Sequence, residues 1–185
     1  MHLKEIGEAR WLRIIDRINL ALGRGVGVLV IAVALVGAGN AILRYAGRFT
    51  SSSLTSNSWL ELQWYLFSLI FLLGAAVTLR EDAHVRVDVM YSRLSERKRA
   101  WIDVAGTLLF LIPFCVLMIW TAWNPVHNSW LIWETSPDPG GLPRWPIKTV
   151  VPVAFFLLLL QSFAHLARTI SVLRGHGVER QNPAT

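Results

Sequence analysis

The apolar parts of this chain lack charge. Four stretches, 25–43, 62–79, 104–123 and 149–167, contain no Asp, Glu, Lys or Arg, and each is 18 to 20 residues long. At a rise of ~1.5 Å per residue, about 20 apolar residues cross a bilayer core. Ionisable residues at mid-membrane depth mark most proton and ion pathways, and these stretches have none at their centres. The sequence therefore predicts four membrane-spanning helices without a conduction path of their own.

Cysteine, enzyme motifs and paired histidines are equally scarce. Cys115 is the only cysteine, so no disulfide can form within the chain. Neither Gly-x-Gly-x-x-Gly nor Gly-Lys-Ser/Thr occurs, and we expect no enzymatic activity and no cofactor. Haem-carrying four-helix subunits need histidines that face each other within the membrane. Only His165 lies in an apolar stretch, which argues against a haem anchor.

Basic residues flank the apolar stretches and lie mostly on one side. Fourteen belong to the N-terminal segment, the 80–99 loop and the C-terminal tail, whereas the other two loops hold four. Short loops rich in Lys and Arg stay in the cytoplasm. Both termini are therefore predicted to be cytoplasmic, with the loops 44–58 and 124–145 outside. The net charge of +6 then serves orientation and contact with membrane lipids, and nucleic acid is not an expected partner.

The segment before the first apolar stretch has two faces. Trp11, Ile14, Ile15, Ile18 and Leu22 recur at helical spacing, opposite a set of arginines. This pattern is typical of an amphipathic helix in the headgroup plane, or of one packed on a partner's cytoplasmic surface. We predict an all-α integral membrane protein with an interfacial segment 1–24, a four-helix membrane domain 25–173 and a cytoplasmic tail 174–185. Its spans cover about 25–43, 60–79, 102–123 and 148–167.

Small residues form stripes in the first two spans. Gly37 and Ala41 are four residues apart, and Gly74-Ala75-Ala76 lies near the end of the second span. Such stripes mark helix contacts in lipid, either within the chain or with another subunit. We expect Leu at Gly37 or Gly74 to separate subunits. Pro113 is expected to bend the third span because its ring removes a backbone hydrogen bond.

Two loops carry the remaining polar features. His84, Arg86 and Asp88 lie in an alternating segment that fits a short strand or an interfacial helix, and two ligands do not make a metal site. Ser95 is expected to cap the following helix. The outer segment 120–148 is rich in Trp and Pro and is expected to be a rigid loop at the membrane interface. It either anchors the chain in the interface or receives a soluble partner.

Glu61 is the only acidic residue that enters a span. Ser58 and Glu61 have the spacing of a capping box, which satisfies free backbone donors at a helix start. A salt link to a cation of a partner subunit and a proton relay are the alternatives. The structural or partner-binding candidates are Glu61, Gly37, Gly74, His84, Arg86, Asp88, Glu134, Asp138, Gly140, Gly141, Trp145 and Lys148. None of them is expected to be catalytic or to bind a metal or cofactor.

The order of these motifs resembles a known family. Glu61 opens the second span, Gly74-Ala75-Ala76 follows, and then comes His84-Val85-Arg86-Val87-Asp88. Together with the outer Ser136-Pro137-Asp138-Pro139-Gly140-Gly141 segment, this is similar to the small membrane subunit of tripartite ATP-independent periplasmic (TRAP) transporters. The likeness covers roughly residues 40 to 161.

The resemblance implies a complex in the bacterial inner membrane. Its partners would be a large multi-span permease subunit and a periplasmic solute-binding protein that delivers an organic anion. Uptake would use a sodium or proton gradient through the large subunit, which this chain would support as a scaffold. A membrane anchor of an electron-transfer or assembly complex is the alternative.

Overall fold

The protein is mostly helical in the part of the chain that the computed structural model describes, namely residues 10–50, 56–81 and 94–173. Its elements are α1 (Arg10–Thr50), α2 (Asn57–Arg80), α3 (Glu96–Gly106), a π-helical turn (Thr107–Leu111), α4 (Ile112–Leu131) and α5 (Trp145–Leu173). Four segments are long and apolar enough to cross a membrane: Arg10–Phe49, Asn57–Arg80, Arg97–Leu131 and Trp145–Ser171. The predicted all-α membrane protein with four spans is confirmed.

The helices stand in an open row. α1 packs along α2, α2 packs on α5, and α5 packs on α3 and α4, while α1 touches α5 only at one end. Within the described ranges, no substantial contact joins α1 or α2 to α4. A row of this kind leaves large apolar side chains exposed, among them Phe71 of α2 and Phe110 before α4. Lipid or a protein partner must cover them.

α5 holds the row together, and it is the most buried of the four spans. One buried cluster, centred on α5, contains Ala76 and Leu79 of α2, Cys115 of α4 and Leu158 of α5. The alanine lets α2 approach α5 closely, which gives dispersion contact where lipid provides no hydrophobic driving force.

The N-terminal segment is part of α1. The helix runs without interruption from Arg10, and Leu12 and Ile15 pack against Ala164 of α5. The separate interfacial helix is therefore not confirmed. Asp16 and Asn19 explain the difference, because their polar groups find partners on neighbouring helices and hold this end of α1 against the row.

The two singled-out glycines differ in their surroundings. A Cβ atom at Gly37 would lie 2.8 Å from Nε2 of Gln63, so the glycine allows α1 to approach α2 of the same chain. A Cβ atom at Gly74 would meet nothing within 4 Å in the described part of the chain. The stripe at Gly37 is thus an internal contact, and Leu there would damage the chain's own fold before it affects a partner.

The third span is irregular just before Pro113. A π-helical turn, Thr107–Leu111, precedes Pro113, and π turns are a recognised cause of helix kinks. α4 then passes Pro125 and ends at Leu131, so the expected irregular segment from 120 is wrong for 120–131. The irregular loop covers only 132–144. Ser95 does occupy the N-cap of α3, but its side chain makes no capping hydrogen bond.

Candidate functional site

The first three turns of α2 hold the 132–144 loop by side-chain hydrogen bonds. The donors lie on one face in these three turns of α2, because residues seven or eight apart return to the same side of a helix. Their acceptors are backbone carbonyls of the loop: Asn57 Nδ2 donates to Pro139 (3.0 Å), the Ser58 hydroxyl to Gly140, and the Tyr65 hydroxyl to Pro143 (3.0 Å). We call this arrangement, with Glu61 at its centre, the loop clamp.

Glu61 is the acceptor at the centre of the loop clamp. Its carboxylate accepts hydrogen bonds from the Ser136 hydroxyl and from the Leu142 backbone N–H (2.5 Å). Arg144 lies 3.9 Å from the same carboxylate. Glu61 is only 4% exposed, so these groups stand in for water around the charge. Hydrogen bonds to an ionised acceptor are roughly twice as strong as neutral ones.

The capping role expected for Glu61 is wrong. α2 begins at Asn57 with Ser56 at the N-cap, and that serine makes no side-chain capping bond. Ser58 lies inside the first turn, where its hydroxyl reaches the loop carbonyl of Gly140 and not a free N–H of α2. The cation near Glu61 is Arg144 of the same chain. Both side chains therefore join two distant parts of this chain.

Two glycines fit the loop into the clamp for different reasons. Gly140 has φ +72°, a left-handed conformation that favours glycine. Gly141 packs against the clamp, because a Cβ atom there would lie 2.4 Å from Cβ of Ser136 and 2.8 Å from Oε2 of Glu61. The expectation of a turn with positive φ is thus correct at Gly140, whereas Gly141 is required by close approach.

The base of the loop is fixed by a second ion pair. The Lys148 ammonium donates to the Glu134 carboxylate, and the Arg144 backbone N–H donates to the Glu134 carbonyl (2.8 Å). The hydrogen bond from Lys148 holds the pKa of Glu134 below its usual range. A lowered carboxyl pKa keeps the pair ionised at neutral pH, and its contribution is lost only as the pH falls through that pKa.

Three tryptophans form a cluster beside the loop. Trp130 and Trp145 have ring centroids 4.3 Å apart, and Trp133 lies 5.4 Å from Trp145. The Trp130 indole N–H donates to the Thr149 hydroxyl (2.8 Å), which joins the end of α4 to the start of α5. Trp133 has φ +48°, an uncommon conformation for a bulky residue. Asp138, by contrast, is exposed at the tip of the loop.

The helices also have polar contacts at their other ends, away from the 132–144 loop. Asp16 of α1 pairs with Arg168 of α5 (2.5 Å) and lies 3.6 Å from Arg80 of α2. Asn19 Nδ2 donates to Oε1 of Gln161 (2.7 Å), and both side chains are fully buried. We call these five residues the polar lock. It joins three helices where the sequence alone suggested only flanking charge.

Comparison with known proteins identifies the chain's family. The sequence profile described as "Tripartite ATP-independent periplasmic transporters, DctQ component" matches residues 33–172. The chain belongs to this family. It is therefore the small membrane component of a TRAP transporter, a multi-pass protein of the bacterial inner membrane. No curated protein matches the sequence significantly.

The family match includes the whole loop clamp of this DctQ component, from Asn57 to Lys148. It begins after Asp16 and Asn19, so two residues of the polar lock lie outside the matched part. His84, Arg86 and Asp88 lie outside the described residues. Within the described ranges, no group of three or more His, Cys, Asp or Glu side chains could hold a metal ion.

The sequence indicated several residues of the site but not which of them contact one another. Glu61 and Gly141 were candidates, and the structure brings them together; Glu134 and Lys148 likewise form one ion pair. Tyr65 was missed, as were Asn19 and Gln161. The available signal for the last two was an amide side chain on an otherwise apolar helix, because a polar group buried in a membrane protein requires a partner.

Proposed function

We propose that this DctQ component is a fixed scaffold for a large permease subunit. The observation that supports this is the open row. Its apolar faces are exposed, and within the described ranges no charged side chain lies at the centre of a span to serve as a coupling site. Carriers place their substrate and ion sites near the midplane, usually on broken helices. A chain without such a site contributes to transport through the subunit that it supports.

The proposed complex takes up an organic acid or similar solute delivered by a periplasmic binding protein. A sodium or proton gradient drives uptake through the large subunit, and this chain needs no cofactor. The proposal rests on the family and on the lack of a site at the centre of the described spans. Anchoring an electron-transfer complex gains no support from the described histidines, because His127 and His165 lie on different helices and only His165 lies in an uncharged stretch.

The exposed ridge of α2 is the surface that we propose for the large subunit. Trp64, Phe67 and Phe71 are exposed on it at helical spacing, and Gly74 continues the ridge with open space around it. A small residue beside aromatic side chains gives a notch that a neighbouring helix can enter.

Gly74→Leu should therefore reduce recovery of the large subunit in co-purification at least fivefold, while the thermal unfolding of the isolated chain stays unchanged. Gly37→Leu is the matched comparison, because it should lower the unfolding midpoint of the chain itself by contact with Gln63. Uptake into proteoliposomes should fall in proportion to the recovered complex. Full recovery of the large subunit with Gly74→Leu would show that this ridge faces lipid.

We also propose that the polar lock faces the cytoplasm and the loop clamp faces the periplasm. Asp16, Arg80 and Arg168 meet at one end, beside the segments that carry most of the positive charge. Alkaline phosphatase fused after Pro139 should be active, and the same enzyme fused after Arg99 should be inactive. The reverse pattern would invert the assignment.

In this orientation the 132–144 loop becomes a preformed platform for the binding protein. Glu134 and Arg144 are fixed at its base, Asp138 is exposed at its tip, and the tryptophan cluster holds its edge. Contacts of this type govern the encounter rate and orientation of a soluble partner more than its affinity.

A further inference from the structure

The polar lock sets the depth of α1 in the membrane. Arg80 and Arg168 directly follow the uncharged stretches of α2 and α5, so they mark where these helices leave the apolar layer. Asp16 contacts both arginines, which places it at the same boundary. Further along, a Cβ atom at Gly23 would lie 3.2 Å from Val77. α1 therefore enters the apolar layer between Asp16 and Gly23, before its uncharged stretch begins at residue 25.

Two arginines consequently flank that boundary, Arg17 on its polar side and Arg24 inside it. Arg17 and Arg24 are seven residues apart on one exposed stripe of α1. Arg24 follows the glycine that faces Val77, which is three residues before Arg80, so Arg24 lies about four residues, or ~6 Å, inside the boundary. Within the described ranges, no carboxylate pairs with either guanidinium. A cation at this depth reaches toward the headgroups and requires an anionic partner.

The same face of α1 becomes apolar immediately beyond Arg24. Val28, Ile31 and Leu35 are 66%, 62% and 68% exposed and continue the stripe toward the membrane centre. A cationic end followed by an apolar ridge is complementary to a lipid that has an anionic headgroup and a long acyl chain. Arg also binds phosphate through two parallel N–H donors, which a compact ammonium cannot do.

We propose that Arg17 and Arg24 bind the phosphate group of an acidic phospholipid in the cytoplasmic leaflet, with one acyl chain along Val28, Ile31 and Leu35. This site lies on the outer edge of the row, away from the α2 ridge. Binding at this site depends on the charge of the lipid and not on transport, so it can be tested independently of the proposed scaffold role.

The test uses the full-length chain purified in detergent and titrated with phosphatidylglycerol or phosphatidylcholine, with bound lipid counted by native mass spectrometry. Each Lys or Arg near an anionic surface contributes about fivefold in affinity, so Arg17→Gln with Arg24→Gln should weaken phosphatidylglycerol binding about thirtyfold. Phosphatidylcholine binding should not change. Arg44→Gln with Arg48→Gln, exposed at the other end of α1, is the matched control and should keep the affinity of the unaltered chain.

Arg17→Lys with Arg24→Lys keeps the charge but loses the paired donors, so it should recover part of the affinity, which separates lipid binding from a folding defect. Equal binding of both lipids by the unaltered chain, or undiminished binding by the Gln variant, would overturn the proposal. A photo-crosslinker at Ile31 should label lipid in intact membranes containing the whole complex. Labelling of the large subunit instead would show that protein covers this face.

Discussion

Replacing Glu61 by Gln is expected to release the 132–144 loop from α2 and to lower the thermal unfolding midpoint of the purified chain by roughly 5 °C. The carboxylate accepts from the Ser136 hydroxyl and the Leu142 N–H at once, through two oxygens. Gln offers a single acceptor oxygen, and its NH₂ group would face one of these donors. Because the site is buried, water cannot readily replace the lost bond.

Two measurements distinguish this clamp from a working proton group. Limited proteolysis should cut the 132–144 loop faster in Glu61→Gln than in Glu81→Gln, an exposed control at the other end of α2. Complexes that survive with Glu61→Gln should still couple uptake to the gradient. The opposite result would be an unchanged unfolding midpoint and an unchanged rate of proteolysis, with loss of coupling in fully assembled complexes. That result would assign Glu61 to transport and remove its structural role.

Gly141→Ala should disturb the same clamp from the loop side. The added methyl group would lie 2.4 Å from Cβ of Ser136 and 2.8 Å from the Glu61 carboxylate, so one of them must move. Overpacking of this kind typically costs about 1–3 kcal/mol, and here we expect the upper half of that range. Gly140→Ala is the matched control. It meets open space and incurs only the left-handed backbone cost of about 1–2 kcal/mol.

The two clamp variants are expected to be non-additive. Gly141→Ala displaces Ser136 and so already weakens its hydrogen bond to Glu61. Glu61→Gln then costs less than it does alone, so the double variant should be more stable than the sum of the single changes implies. Strict additivity would mean that the two residues act separately. In proteoliposomes, Gly141→Ala should require severalfold more binding protein for half-maximal uptake. An unchanged dose-response at equal complex density would limit the loop to anchoring in the membrane interface.

The sequence predicted the four spans because their length and lack of charge depend on the bilayer alone. It could not predict how α1 is placed. The amphipathic pattern around Ile14 and Ile18 is real, and both remain exposed, but Asp16 and Asn19 on the adjoining face find partners more than a hundred residues away. Local periodicity carries no information about such distant partners.

Glu61 illustrates the same limit at the opposite end. Ser58 and Glu61 fit a capping box by spacing, and spacing was all that the sequence offered. The donors that the Glu61 carboxylate meets belong to the 132–144 loop, about eighty residues later in the chain. Their position depends on how the helices on either side of that loop pack. The glycine pair was more informative, because a positive φ at Gly140 follows from local turn chemistry. The reason for glycine at 141 is visible only in three dimensions, from its close approach to Ser136 and Glu61.

The order of the helices in the open row differs from their order of synthesis. α5 is the last described helix to leave the ribosome, yet it lies between α2 and α4 and completes both the polar lock and the buried cluster around Cys115. Until α5 inserts, the α1–α2 pair and α4 have no substantial packing contact with each other within the described ranges. The final segment therefore has to pack between helices that, in the described part of the chain, make no substantial contact with each other.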